Sequence, residues 1–491
     1  MRLAFSSIRI FSLVLFVAAA ACGDDDSGSD DGDDEGGGQV DAGGDDDGGQ
    51  PDAGDDDGGE PDAGTEPDAG PNQPPRIWVH GDFATGGRLQ LGAYVIGEET
   101  PALAAPLLPT GDTAALFPTS SQAGNYDFSR NGELVALPTD LEVAGRYDLY
   151  AGPSDGSALN QVVAMTEDAD VEKVRVSPDG SLIAFTADLE VDGIFSAYVV
   201  PADAVGATPT LVSPAAAIGN AENLVWSRNS NSLLVTGIFT EAQNFEMILV
   251  DLGGKDPTPV PLIELGDILA TAGNRGVIQP LVRLGSNVLF KGRMDEDNRT
   301  KIYIIDAAGV GPAQVLPESQ ILREDGTTPA LLGRVDVSPD GNQLAFAADR
   351  TQGVSDLFVM PSSGSAAPTQ VTSGLTTGAP TTGNPIKWRP DNQAVAVVAS
   401  WGVPGKLEPF VVPLDGSGQR RVISVGDANI GTESVDWSDD GSQIFVVADY
   451  ITDQEFELFT VDAAATDETA PALVFDVVAG GTLRHDITLT R

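Results

Sequence analysis

The feature that most limits the fold of this chain is an internal period. Beyond Pro75 a unit of about fifty residues recurs, and each copy reads as a strand, a tight turn, a second apolar strand, a polar connection, a third strand and a variable fourth. The clearest copies are VRVSPDGSLIAFTAD at Val174 to Asp188 and VDVSPDGNQLAFAAD at Val335 to Asp349. Looser copies run YDFSRNGELVAL from Tyr126, LVWSRNSNSLLV from Leu224, IKWRPDNQAVAV from Ile386 and VDWSDDGSQIFV from Val435, with a degenerate LVRLGSNVLF from Leu281. The turn has a mechanism. In Ser177-Pro178-Asp179-Gly180, proline presets φ, aspartate suits the next position, and glycine takes the left-handed conformation that closes a hairpin. Third strands such as DLYAG from Asp148, DLFVM from Asp356 and ELFTV from Glu457 follow. Four-stranded units at this period, with no helical pattern between them, predict a single all-β propeller over residues 76–491.

These motifs resemble the WD40-like repeat of the Tol system translocation protein TolB and of propellers in prolyl oligopeptidase-type proteins, whose blades carry the same SPDG turn before an apolar strand. The resemblance covers nearly all of residues 76–491 and implies a fold more than an activity. Seven first strands are countable, and ITLT from Ile487 fits as an eighth. At the other end, IWVHGD from Ile77 reads as a second strand and LQLGAYVI from Leu89 as a third, with no first strand ahead of them. Ends that each lack what the other has predict a shared blade, which removes an exposed sheet edge. Eight blades are expected, with seven as the alternative.

Ahead of the repeats the chain is of another kind. Residues 1–21 read as a signal segment, with Arg2 and Arg9 at the positive end, an apolar run from Ile10 to Val17, and small residues Ala18 to Ala21 before Cys22. The sole cysteine, after three alanines and before Gly23, resembles the lipobox of bacterial lipoproteins, although Ala19 stands where that pattern usually has leucine. The resemblance implies a diacylglyceryl thioether on Cys22, so covalent lipid is the expected attachment, with membrane contact through that anchor and no other cofactor. An ordinary secretory signal cleaved near Ala21 is the alternative. Each buried methylene contributes about 0.8 kcal/mol, and a lipoprotein's several chains meet the requirement for stable anchoring. The absence of aspartate directly after Cys22 favours the outer membrane, with either a periplasmic or an exterior orientation.

Residues 22–75 are almost wholly Asp, Gly, Pro, Ala, Ser, Glu and Gln. Such a segment buries too little apolar surface to offset ordering entropy and is expected to be a disordered tether, averaging roughly 40 Å end to end. Gly23 to Pro75 holds 20 acidic residues and no Lys or Arg, so of the net charge of -48 the rest of the chain carries -28. An acidic excess on this scale disfavours nucleic acid. With one cysteine there is no intramolecular disulfide, and a large core must supply the stability of what is expected to be a monomer.

Aligned at the turn, the middle positions of the first strands are Asp127, Arg175, Val225, Arg283, Asp336, Lys387, Asp436 and Thr488. The charged members are candidates for the lining of the central channel. Their alternating signs predict ion pairs between neighbouring blades, or else a polar-ligand site. The two histidines, His80 and His485, fall on strands that the shared blade brings side by side, and form a weak metal or pH-latch candidate. Asp140, Asp188, Asp349 and Asp449 recur after the second strand. Recurrence in every blade points to turn capping, because a catalytic group is needed only once. Trp226, Trp388 and Trp437 share one first-strand position and read as packing between blades.

The chain carries no G-x-S-x-G elbow, phosphate loop, paired-cysteine motif or HExxH, so no catalytic residue is assigned. Paired carboxylates for glycoside chemistry stay open, because acids are numerous and their separation is not legible in a sequence. The expectation is a non-catalytic binding or scaffold module whose faces engage a protein or glycan. The alternative is a hydrolase or lyase acting on polysaccharide or peptide from an acidic face.

Overall fold

The computed structural model describes residues 76–81, 90–95, most of 126–475, and 488–490. Residues 1–21, expected to be a signal segment, Cys22, the stretch to residue 75 expected to be a tether, and His485 lie outside the described residues. Among those described there is no α-helix, and the fold is a β-propeller of four-stranded antiparallel blades.

Seven complete blades follow in chain order, named here by their first and last strands. Blade 1 runs from Asp127–Phe128 to Asn160–Val163, blade 2 from Val171–Val176 to Thr210–Leu211, and blade 3 from Ala221–Trp226 to Thr258–Ile263. Blade 4 runs from Arg275–Leu284 to Gln314–Val315, and blade 5 from Leu332–Val337 to Thr369–Gln370. Blades 6 and 7 run from Lys387–Trp388 to Arg420–Arg421 and from Thr432–Trp437 to Ala472–Phe475. A further three-stranded sheet has the order Gln90–Val95, Arg76–Gly81, Thr488–Thr490, in which the C-terminal strand pairs antiparallel with the first.

Packing between blades follows from the pleat. Successive side chains of a strand point to opposite faces, so one second strand serves two neighbours. In blade 2, Ile183, Phe185 and Ala187 pack toward blade 1 while Ala184 packs toward blade 3. In blade 5, Leu344, Phe346 and Ala348 pack toward blade 4, and Ala345 and Ala347 toward blade 6. Blade 6 divides Val395, Val397 and Ala399 from Ala394, Ala396 and Val398 in the same manner. Second and third strands register aromatic pairs across the ladder in blades 2, 4 and 5. Phe185 stacks on Tyr198, Phe290 on Tyr303 and Phe346 on Phe358, with centroids 5.6, 5.2 and 5.9 Å apart.

The turns form as their residues dictate. Ser177 Oγ donates to Asp179 Oδ1 and accepts from Leu182 N, while Gly180 N donates to Ser177 O with Gly180 at φ +72°. Ser338-Pro339-Asp340-Gly341 and Ser438-Asp439-Asp440-Gly441 repeat the arrangement. In blades 3 and 6 the glycine position is held by Ser230 and Asn392, which are the two described non-glycine residues with positive φ, near 60°. Ser230 recovers something, since its Oγ accepts Asp179 N from blade 2. Asn392 Oδ1 is buried without a partner.

Blade 4 departs from the pattern in two ways. Its hairpin closes through only Gly285-Ser286, and Arg228 of blade 3 reaches past this short turn to donate from Nη2 to Ser338 O of blade 5, at 2.7 Å. Its first strand also bridges in parallel to Asn244 and Phe245 of blade 3, merging two blades into one sheet. Gly276 permits that approach: it sits at φ +86°, and a Cβ there would fall 2.0 Å from Phe245 O.

Two substitutions at equivalent turn positions test this account in opposite directions. Asn392→Gly is expected to raise stability by about 0.5–1 kcal/mol, by removing left-handed strain and a buried orphan oxygen. Gly180→Ala is expected to lower it by about 1–2 kcal/mol. Urea denaturation midpoints measure both, and a midpoint lowered by Asn392→Gly counts against strain at that turn.

Candidate functional site

The first strands of blades 2 to 5 line a cavity of about 530 Å³ at the hub. Its charged members are Lys173, Arg175, Glu222, Arg334 and Asp336, joined by Asn223, Gln279 and apolar neighbours. Of the aligned candidates, Arg175, Val225 and Asp336 contribute to it, whereas Asp127, Arg283, Lys387 and Asp436 do not.

Blade-to-blade contacts at the aligned positions take several forms. Lys387 Nζ meets Asp436 Oδ2 at 2.8 Å, a direct ion pair between blades 6 and 7. Asp127 and Asp336 instead accept backbone N–H groups of the following blade, from Val176 at 2.8 Å and Ile386 at 2.9 Å. Arg283 bonds to Gly285 O and Ser232 Oγ rather than to Asp336, so the alternation of sign yields fewer direct ion pairs than the sequence predicts. The reason is reach: a short aspartate at the pleat finds the neighbouring amide first. Indoles do similar work, with Trp226 Nε1 donating to Arg175 O and Trp437 Nε1 to Lys387 O. Trp388 Nε1 is buried without a partner.

The cavity residues absent from the aligned set include Lys173, Glu222, Asn223, Gln279 and Arg334. Lys173 and Arg334 lie two positions before Arg175 and Asp336, so they share a face of the strand, and a period-two extension of the alignment would have found them. Gln279 is less predictable, because bulges around Pro280 shift the register of blade 4. Lys173 Nζ lies 3.2 Å from Glu222 Oε2 of the next blade, and Arg334 Nε lies 3.0 Å from Asp336 Oδ2. Arg175 bonds through Nη1 to Val174 O, and among the described residues no carboxylate lies within ion-pair distance of it.

Titration near the hub is perturbed by burial. Burial raises the Asp127 and Asp336 carboxyls above the ordinary range, against the opposing pull of Arg175 on the first and Arg334 on the second. Lys291, on the second strand of blade 4, donates to Gly333 O at 2.8 Å. Burial, with Arg334 beside it, pushes its amine down to about 8.

The recurring acids after the second strands are hydrogen-bond acceptors at blade ends. Asp140 and Asp188 each accept the amide five residues on, from Gly145 and Gly193, both at 3.0 Å. Asp188 also accepts Asp170 N, Asp449 accepts Gly431 N, and Asp349 pairs with Arg323, so capping extends to the segment that leads into the first strand. A second acidic series opens the third strands and was visible in DLYAG, DLFVM and ELFTV. Asp148, Glu246, Asp356, Glu408 and Glu457 are all buried. Asp148 accepts from Arg146, Gln161 and Met165 N, and Asp356 from Arg350 and Thr372, which ties third strands to fourth.

His80 lies in the strand Arg76–Gly81, opposite Leu91, and its proposed companion His485 is outside the described residues. Among the described residues no three His, Cys, Asp or Glu side chains gather as a metal would require.

No protein-family model matches the chain, and no curated protein matches it. Among solved structures the chain is similar to a TolB from Agrobacterium tumefaciens at 18% identity, over 55% of this chain and 84% of that one, with a TM-score of 0.32. It is similar to a puromycin hydrolase at 17% identity over 73% of this chain, spanning 54% of the hydrolase's length, with a TM-score of 0.47. It is also similar to an oligogalacturonate lyase from Vibrio parahaemolyticus at 11% identity, over 79% and 98% of the two chains, with a TM-score of 0.44. Identities this low carry no activity from one chain to another.

The environment of Lys291 gives a pH prediction. Its folded-state pKa of about 8 lies below the unfolded value of about 10.4, so the ammonium burdens the fold fully below pH 8 and the burden fades as pH rises from 8 to 10.4. Lys291→Met is expected to gain on the wild type by about 1–2 kcal/mol more at pH 7 than at pH 10.5. Denaturation midpoints of the two proteins across that range measure it, and a constant difference contradicts it.

Proposed function

We propose that this chain is an envelope-anchored, non-catalytic binding module: a lipid on Cys22 holds it to the outer membrane, the acidic tether lets it range around that anchor, and the propeller engages a protein or glycan. The observation that carries this reading is the state of the carboxylates at the hub. Glu222 is matched by Lys173 and Asp336 by Arg334, so both cavity acids are engaged by cations. A reacting centre needs a group at liberty to take or give a proton, whereas a recognition surface on a rigid scaffold needs only fixed polar contacts. The anchor and the outer-membrane location are supported by the run Ala19-Ala20-Ala21-Cys22-Gly23 and by the lack of aspartate after the cysteine. The tether is supported by its composition.

A second reading, a hydrolase or lyase acting on polysaccharide or peptide, is favoured by one observation. Acid and base meet near the hub, where burial raises Asp336 and lowers Lys291.

Affinity capture from envelope extract with the full lipidated chain is expected to retain a partner that survives moderate salt and is lost when the propeller is unfolded. Turnover of a glycan or peptide panel with no partner retained overturns the binding reading in favour of the second. For the anchor, Cys22→Ala is expected to move the protein from the membrane fraction to the soluble one. An unchanged distribution counts against lipidation.

A further inference from the structure

The few cations of this chain are not evenly spent. Lys and Arg make up 26 of 491 residues, yet three of the thirteen residues lining the hub cavity are cationic. Acids, at 74 of 491, are about as frequent among those thirteen, where Glu222 and Asp336 are the two. A chain of net charge -48 therefore carries a cavity with one more positive group than negative. Both cavity acids are answered by a cation, and the third cation is Arg175, which is exposed; its guanidinium bonds to Val174 O, and the carboxylate that it acts on, Asp127, lies outside the cavity lining.

We propose that the hub cavity between the first strands of blades 2 to 5 binds a small oxyanion of at least two negative charges, of the carboxylate or phosphate class, with Arg175 as the principal contact and Lys173 and Arg334 flanking it. The site deepens the binding reading and rests on it. A planar guanidinium presents paired N–H donors that match two oxygens of such a group, and hydrogen bonds to ionised partners are about twice as strong as neutral ones. A volume of about 530 Å³ is that of a small-ligand site, while the overall negative charge repels long polyanions. A cationic ligand would meet the surplus guanidinium, and a neutral sugar gives no reason for cations to collect here. Lys291, lowered by burial and then by Arg334 against the opposing pull of Asp336, lies beside the same cationic group. Gln279, also in the cavity lining, bonds through its Nε2 to Val335 O and links blade 4 to blade 5.

Isothermal titration of the full chain at pH 7 and low salt, with citrate, inorganic phosphate and maltotriose as separate probes, tests the assignment. Saturable binding of citrate or phosphate, with none of maltotriose, is expected, and whichever anion binds tells carboxylate from phosphate. Arg175→Gln is expected to weaken that binding at least tenfold, while Arg389→Gln, at an exposed turn, leaves it unchanged. A cooperative melting transition in Arg175→Gln reports that the fold is intact, with some loss of melting temperature expected from the Asp127 carboxyl that Arg175 no longer stabilises. No anion binding, or binding equal in Arg175→Gln, overturns the site. Envelope capture run on Arg175→Gln separates the two claims: a partner still retained where no anion site exists leaves the binding module standing and removes only this inference.

Discussion

The structure depends on each blade burying both faces. A four-stranded sheet in this chain has no solvent side of its own, since Phe185 and Ala184, adjacent in sequence, belong to different interfaces. The division recurs with Phe346 and Ala345. Large residues on one face and alanine on the other let a neighbour's bulk fit where a blade offers little, which is how interiors reach crystal-like density. Enlarging one of those alanines would disturb an interface rather than a single contact.

Polar contacts set angles that apolar packing leaves loose. Asp127 and Asp336 grip the amide of the next blade, Trp226 and Trp437 grip the carbonyl of the preceding one, and Lys387 meets Asp436 directly. These bonds join residues about fifty apart in sequence, so they act in register with the repeat itself. The hub cavity is a product of the same geometry. Strands brought close at their inner edge place Lys173, Arg175, Arg334 and Asp336 around one space, although more than 150 residues separate the first pair from the second.

Much of this was legible in the sequence because the turn chemistry is local. Ser-Pro-Asp-Gly states its conformation in four residues, and Ser230 and Asn392 adopt the same left-handed geometry although the glycine is gone. The first-strand alignment was legible to one layer. Lys173 and Arg334 needed a second layer two residues earlier, and Gln279 needed knowledge of a bulge at Pro280, which follows from ladder irregularity and not from pattern. The buried acids that open third strands stood in plain view but read as ordinary polar starts. Their role depends on where Arg146 and Arg350 reach, and that is settled by tertiary distance. What is bound was not legible, because recognition depends on which side chains converge across the ring.

The bond from Arg228 to Ser338 O has a consequence for how such a chain can change. Arrays of repeats ordinarily behave as chains of nearest neighbours, so units can be duplicated or lost with costs that simply add. Here blade 3 holds blade 5 directly, over the short hairpin of the blade between them. Those three units form a block that evolution or engineering would copy, excise or transplant whole.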